Sequence, residues 1–317
     1  MSARVPILLS FYGLSNGKRT AVFGKLAWSG THDLSFSNYS RIKTFNSVVA
    51  LYRTRPVRNQ AFEMTFDTGT INGKTDLSGS FWIEDSSPEI QRGLISILLT
   101  PSQQNVQMTK ELYPNIIQTV DQKTILISDL DDTLIDSFVS SKFRQLKTLL
   151  FTAVEKRSTV DQTLSFVKQI SGAGAATFYL SNSEQNLYPM LYRLFILHEF
   201  PAGPLLLRQY VHLRNWAWRK IARRENTHKR TMLEKIIELF PDRSFILLGD
   251  NTQHDLAIYL EFAKVHTQTV RCVIIRQTTL RTRDERLLVE AADFFKQNGI
   301  AFYYGSELPH DLVSLTQ

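Results

Sequence analysis

The sequence predicts an α/β protein, with a parallel sheet covered by helices over residues 123–317 and a small β-rich domain over residues 1–122. Three observations lead there. Short strand-like runs and turn signals fill the first 122 residues, and from residue 123 strands alternate with amphipathic helices. Two apolar runs, Ile125-Leu126-Ile127 and Ile246-Leu247-Leu248, each lead into an aspartate, Asp129 and Asp250. Unbroken apolar runs of this length read as strands buried on both faces, the mark of a parallel sheet.

In the first domain, Asn16-Gly17 and Asn72-Gly73 read as hairpin turns, because both residue types tolerate positive φ. The second is followed by a strand-like Leu77 to Ile83. Between the turns, Ile42, Phe45, Val49 and Tyr52 recur at helical spacing until Pro56 ends the run. The stretch Gly13 to Thr20 looks like a phosphate-cradling loop, but it is one residue short between its glycines and has Arg19 where Ser or Thr belongs. It reads as a hairpin turn.

In the second domain the strand candidates are Thr124 to Ser128, Ala175 to Ser181, Ser244 to Gly249, Val270 to Ile275 and Ile300 to Tyr304. Phe143, Leu146, Leu150 and Val154 make one helical stripe, and Leu233, Ile236, Ile237 and Phe240 another. Pro189 is placed to open a helix toward His198, since proline is tolerated in a first helical turn.

Composition narrows the function. The chain has 317 residues, 43% of them hydrophobic, enough for two ordinary cores. No apolar stretch nears the roughly 18 residues of a membrane span, and no signal peptide is read. The single cysteine, Cys272, rules out an internal disulfide framework and lies in a strand-like run as a packed thiol. A formal charge of +7 points to anionic partners: nucleic acid, an acidic lipid surface or phosphorylated small molecules.

The chemistry gathers at strand ends. In open α/β sheets catalytic groups collect past the carboxyl ends of strands, which puts Asp129 at a strand tip and Asp131 in the turn beside it. Two carboxylates in so small a volume can hold a hard cation such as Mg2+. They also divide their labour, one remaining an anionic nucleophile and the other keeping its proton as an acid. Alone, the string Asp129-Leu130-Asp131-Asp132-Thr133 is equally an Asp-rich turn; three later elements raise its weight. Ser181, with Asn182 beside it, offers a hydroxyl and N–H groups to a phosphoryl oxygen at another strand tip. Lys229 opens the helix before the second acidic strand and can offset charge on a transferring group. After Gly249, Asp250 is placed to complete a magnesium site with Asp129, and Asp255 opens the next helix as an N-cap or as a partner that orients the metal water or Lys229.

Taken together, Ser128-Asp129-Leu130-Asp131-Asp132-Thr133, Tyr179-Leu180-Ser181-Asn182-Ser183, His228-Lys229 and Gly249-Asp250 with Gln253-His254-Asp255 resemble the four motifs of haloacid dehalogenase superfamily phosphatases, in order. Phe200 to Arg208 and Phe240-Pro241-Asp242-Arg243 narrow the resemblance to the actin-patch type of phosphatidate phosphatase, over roughly residues 123 to 280. The resemblance implies a Rossmann-like sheet of haloacid dehalogenase type. It implies Asp129, Asp131, Ser181 and Lys229 as catalytic residues, Asp129, Asp131 and Asp250 as Mg2+ ligands, and Thr133, Asn182 and Asp255 behind them. Arg208 is the expected substrate contact. Leu130 and Glu184 depart from the isoleucine and proline usual in the family.

Only about fifty residues separate Asp129 from Ser181, leaving room for little or no cap over the site. An open site suits a membrane-embedded ester, and His212 to Arg224 mixes Trp216 and Trp218 with dense positive charge fit for an anionic membrane surface. The same residues equally suit indoles packed on the sheet beneath a solvated cationic face. The leading expectation is a cytoplasmic, peripherally membrane-associated Mg2+ phosphatase that converts phosphatidate, or another lipid phosphate, to diacylglycerol and inorganic phosphate. The alternatives are a phosphatase for soluble phosphomonoesters or phosphoproteins and a non-catalytic lipid-binding module. A nucleic-acid partner is disfavoured, since no kinase loop or nucleic-acid module accompanies the basic charge.

Overall fold

The computed structural model describes residues 4–30, 50–86, 93–109, 113–130, 157–209, 225–251, 254–277 and 284–308. They fall into two compact units. The first holds the described residues within 1–121, 183–199 and 207–223, and the second those within 122–182, 200–206 and 224–317.

The first unit is built on strands β1 (Val5–Ser15), β2 (Thr20–Ser29), β3 (Arg55–Pro56), β4 (Ala61–Phe66), β5 (Gly69–Lys74), β6 (Ser80–Asp85), β7 (Leu94–Thr100), β8 (Gln104–Asn105) and β9 (Ile117–Thr119). One sheet runs β3-β2-β1-β9 with β6 also paired to β2, and another runs β5-β4-β7-β8. Nearly every residue of β1 and β2 is buried, so their apolar side chains serve both faces of the sheet. A 3₁₀ turn over Gln185–Leu187 and a helix α2 (Tyr188–Leu197) also belong to this unit. Pro189 sits in the first turn of that helix, where its missing N–H costs nothing.

Asn16-Gly17 does turn the chain between β1 and β2. The Asn16 side-chain oxygen accepts the N–H groups of Lys18 at 2.8 Å and Arg19 at 2.7 Å, and Gly17 takes φ +84°. The second expected turn is elsewhere. Asn72-Gly73 lies inside β5, and the chain reverses at Asp67-Thr68 instead. Gly73 is small for a packing reason: a Cβ there would come within 2.6 Å of the Phe62 ring. The strand expected over Leu77 to Ile83 starts only at Ser80, because the Asp76 carboxylate accepts the N–H groups of Ser78 and Ser80 and holds the preceding residues in a turn. Residues 50–53 are helical; Ile42, Phe45 and Val49 lie outside the described residues.

The second unit is an α/β layer structure. Its elements are β10 (Thr124–Asp129), α1 (Arg157–Gly172), β11 (Ala176–Glu184), β12 (Leu205–Arg208), α3 (Glu225–Leu239), β13 (Ser244–Asp250), α4 (Asp255–Val265), β14 (Val270–Arg276), α5 (Glu285–Gln297) and β15 (Ala301–Gly305). The sheet order is β12-β11-β10-β13-β14-β15, with β10 parallel to β11 and β13, and β14 parallel to β13 and β15. Residues 183–184 of β11 and 207–208 of β12 carry the chain into the first unit. The stripe Leu233, Ile236, Ile237 and Phe240 is buried, as an amphipathic helix on a sheet requires. Phe143 to Val154, where another helix was expected, lies outside the described residues; Leu164, Val167 and Ile170 of α1 are buried. Cys272 is buried in β14, and burial pushes its thiol up to about 12.

Candidate active site

Sheet register brings the acidic residues together. Ser128 of β10 pairs with Leu248 of β13, so Asp129 and Asp250 leave neighbouring strands within one step of each other. On the other side of β10, Asp129 pairs with Leu180, which sets Ser181 one residue beyond at the carboxyl end of the same sheet. Asp129, Ser181 and Asp250 are all buried. Three elements far apart in sequence thus converge because their apolar strands share a register.

Lys229 of α3 and Asp255 of α4 complete the cluster. The Lys229 ammonium, fully buried, donates to Asp255 Oδ1 at 2.6 Å and pairs with Asp129 Oδ2 at 2.9 Å. Asp129 Oδ1 accepts the Leu130 N–H at 2.9 Å. Asp255 Oδ2 accepts the Asp250 N–H at 3.3 Å. Although Asp255 is the first residue of α4, its carboxylate is spent on Lys229 and Asp250, and the residue before it, His254, makes no side-chain cap. Gly249 allows this approach, since a Cβ on it would lie 2.6 Å from Asp255 Oδ2 and 2.8 Å from Asp255 Cβ.

Asp129, Asp250 and Asp255 each offer a carboxylate oxygen, and the three atoms lie within 4.8 Å of one another. The donor set is entirely hard oxygen, suited to a divalent cation. Tyr259 borders the cluster as a neutral phenol. Burial first, and the Asp255 charge second, raise its pKa well above the ordinary tyrosine value, and its hydroxyl donates to the Leu248 carbonyl at 3.2 Å.

Other expected site residues are placed as follows. Asn182 follows Ser181 and is half-buried, while Asp131 and Thr133 lie outside the described residues, as do Trp216 and Trp218. Arg208 pairs with Glu184 at 3.9 Å within the first unit. Two residues of the cluster's surroundings were not singled out from the sequence. Tyr259 gave no local signal, being one aromatic on an apolar helix. Arg276 did carry one: it is buried, closes the apolar strand β14 and pairs in register with Asp250, the same pattern of a charge ending a core strand that marks Asp129 and Asp250.

Fold and cluster together define an α/β protein with a metal-capable carboxylate centre at its strand tips. Residues 124–277 match the family model described as phosphatidate phosphatase APP1, catalytic domain. Phosphatidate phosphatase APP1 of Saccharomyces cerevisiae is 27% identical over 231 residues, covering 71% of this chain and 38% of the yeast protein. An uncharacterized protein of Schizosaccharomyces pombe is 25% identical over 212 residues, covering 65% of this chain and 34% of that protein. The chain therefore spans little more than a third of the length of these relatives. Among solved structures, a carbohydrate acetylesterase from Xanthomonas citri overlaps 99% of this chain and 73% of its own at 9% identity and a TM-score of 0.34, too loose a likeness to bear on fold or function.

Proposed function

We propose that the chain is a Mg2+-dependent phosphatase of haloacid dehalogenase type that hydrolyses phosphatidate, or a related lipid phosphate, to diacylglycerol and inorganic phosphate at a membrane surface. The observation that carries the reading is the buried Lys229, paired at once with Asp129 and Asp255 inside a carboxylate cluster at strand tips. A cation so fixed keeps Asp129 ionised and oriented, as a nucleophile must be. The activity named for the yeast relative and the match over residues 124–277 support the substrate class.

In the proposed reaction an Asp129 carboxylate oxygen attacks phosphorus, and the bond from phosphorus to the glycerol oxygen breaks. Asp131, assigned by the family resemblance, gives its proton to the departing alkoxide, leaving an aspartyl-phosphate on Asp129. Asp131 then takes a proton from a water that attacks phosphorus, the bond to Asp129 breaks, and phosphate leaves. The Ser181 hydroxyl and Lys229 stabilise the phosphoryl oxygens. Asp129, Asp250 and Asp131 would hold the cation, which when bound supplies positive charge against the transferring group.

The test compares phosphate release from phosphatidate in mixed vesicles with release from soluble sugar, nucleotide and aryl phosphates, with and without Mg2+. Vesicle-bound phosphatidate is expected to turn over, and Asp129→Asn to be inactive. Turnover of the soluble esters alone would end the lipid assignment. Activity surviving Asp129→Asn would end the nucleophile assignment.

A further inference from the structure

Gly249 lies between the last apolar residue of β13 and Asp250, and helix α4 holds the backbone on both sides of it. Asp255 and Tyr259, both fully buried, stand four residues apart on α4, a spacing that puts them on one helix face. The Tyr259 hydroxyl donates to the Leu248 carbonyl at 3.2 Å, and Asp255 Oδ2 accepts the Asp250 N–H at 3.3 Å. A peptide unit is planar, so the first bond fixes the plane before Gly249 and the second fixes the plane after it. The two soft dihedrals of Gly249 lie between those planes, and both are thereby restrained.

Two features give this pair of bonds a task. Crowding confines position 249 to glycine, since a Cβ there would lie 2.6 Å from Asp255 Oδ2 and 2.9 Å from Tyr259 Cε2. Glycine brings wide backbone freedom with it, directly before a carboxylate of the cluster. The sheet restrains that freedom from one side. Toward β14 the pairing continues through Gly249↔Ile275 and Asp250↔Arg276, whereas toward β10, the strand of Asp129, the pairs among the described residues end at Ser128↔Leu248. Asp255 is itself held through Oδ1 by Lys229, whose ammonium also meets Asp129, so Asp250 and Asp129 are placed against a common group. Burial first, and the Asp255 charge second, keep the Tyr259 phenol protonated, so it donates without adding charge beside the carboxylates.

We propose that Tyr259 is a positioning residue: with Asp255 it clips the peptide planes flanking Gly249 and so sets the direction in which β13 presents the Asp250 carboxylate to a divalent cation shared with Asp129. The consequence for Mg2+ binding and turnover rests on the phosphatase reading, while the clip itself does not.

The test uses the full chain with Tyr259→Phe, which keeps the ring and its packing and removes only the hydroxyl. With chelator present, amide hydrogen exchange at Gly249, Asp250 and Asn251 is expected to quicken about 5-fold, the share of one neutral hydrogen bond, while Ile125 to Ile127 keep wild-type protection. Mg2+ is expected to bind about 10-fold more weakly in calorimetry, and kcat on phosphatidate vesicles to fall by a similar factor with KM for the lipid within about twofold. Raising Mg2+ should recover most of that kcat. In an Asp250→Asn background, adding Tyr259→Phe should leave the residual Mg2+ affinity unchanged, because the hydroxyl acts through Asp250. Exchange that stays unchanged, or quickens equally throughout the sheet, overturns the clip. So does a kcat loss that excess Mg2+ does not relieve, or a Mg2+ loss that simply adds to that of Asp250→Asn, the outcomes of general weakening. If the wild-type chain binds no Mg2+ and releases no phosphate, the phosphatase reading fails while the exchange data still decide the clip.

Discussion

Raising the pH from 7 to 8.5 should stabilise this protein, and a single buried lysine is the reason. Lys25 is 1% exposed, and burial lowers its pKa from 10.5 to about 7 against the opposing pull of Asp76 and Glu184. In the unfolded chain the same group holds its proton to an ordinary value of about 10.4. Across the interval between the two values the unfolded state binds more protons than the folded one, so stability rises with pH. The group is half protonated in the folded state at pH 7, and integrating its proton release to pH 8.5 yields about 1.6 kcal/mol. Cys272 opposes this. Its thiol is pushed from 9.0 to about 12, so the unfolded chain ionises first and stability falls as pH rises, but only by about 0.2 kcal/mol at pH 8.5. Above pH 9 the thiol and the buried Tyr12, Tyr113, Tyr188 and Tyr259, all shifted upward, erode the gain. Urea unfolding at pH 7, 7.5, 8 and 8.5, with a constant m value, measures the rise, and the same series on Lys25→Met isolates the lysine. Parallel pH profiles in the two proteins, or a wild-type stability that falls over the interval, would refute the reasoning.

Three other outcomes follow from the acidic cluster. Saturating Mg2+ at about 100 times its Kd should stabilise the wild-type protein by about 2.7 kcal/mol, and Asp250→Asn should lose most of that gain, as read by thermal shift with and without chelator. Lys229→Met leaves Asp129 and Asp255 buried without their shared ammonium, so a loss of about 3–5 kcal/mol in urea unfolding is expected together with loss of phosphate release. Gly249→Ala drives a Cβ to 2.6 Å from Asp255 Oδ2. The expected cost is about 1–3 kcal/mol in urea unfolding, accompanied by weaker Mg2+ binding in calorimetry.

The parts of the fold legible in the sequence are those in which one local pattern answers to one cause. β10 and β13 could be read because an apolar run buried on both faces must end where a charge begins, and Asp129 and Asp250 supply those ends. The Asn72-Gly73 pair misled because glycine serves two needs. Positive φ and close packing leave the same letter, and only the Phe62 ring beside Gly73 separates them. β12 is four residues long, too short for periodicity to register. Least legible of all was the adherence of residues 183–199 to the leader. Its contacts, such as Gln185 to Ser10 and Tyr188 to Phe11, join residues more than 170 positions apart and depend on no local spacing. Lys25 left a faint trace, as a lone cation between Gly24 and Leu26 in a strand otherwise apolar on both faces.

Lys25 and Lys229, both buried, have different surroundings. Around Lys25 the hydrogen-bonding atoms are serine hydroxyls and a glutamine amide that fix geometry without adding charge, and no group of three metal-capable ligands is found there among the described residues. Around Lys229 three carboxylates offer oxygens within 4.8 Å of one another, a set of hard ligands that a divalent cation could join. Chelation therefore acts on one cluster and spares the other. Removing Mg2+ should lower the unfolding free energy of wild type and of Lys25→Met by the same amount, because groups in separate networks contribute additively to within about 0.5 kcal/mol. In Asp255→Asn the cluster loses one of its three carboxylates, and the Mg2+ increment should shrink with it.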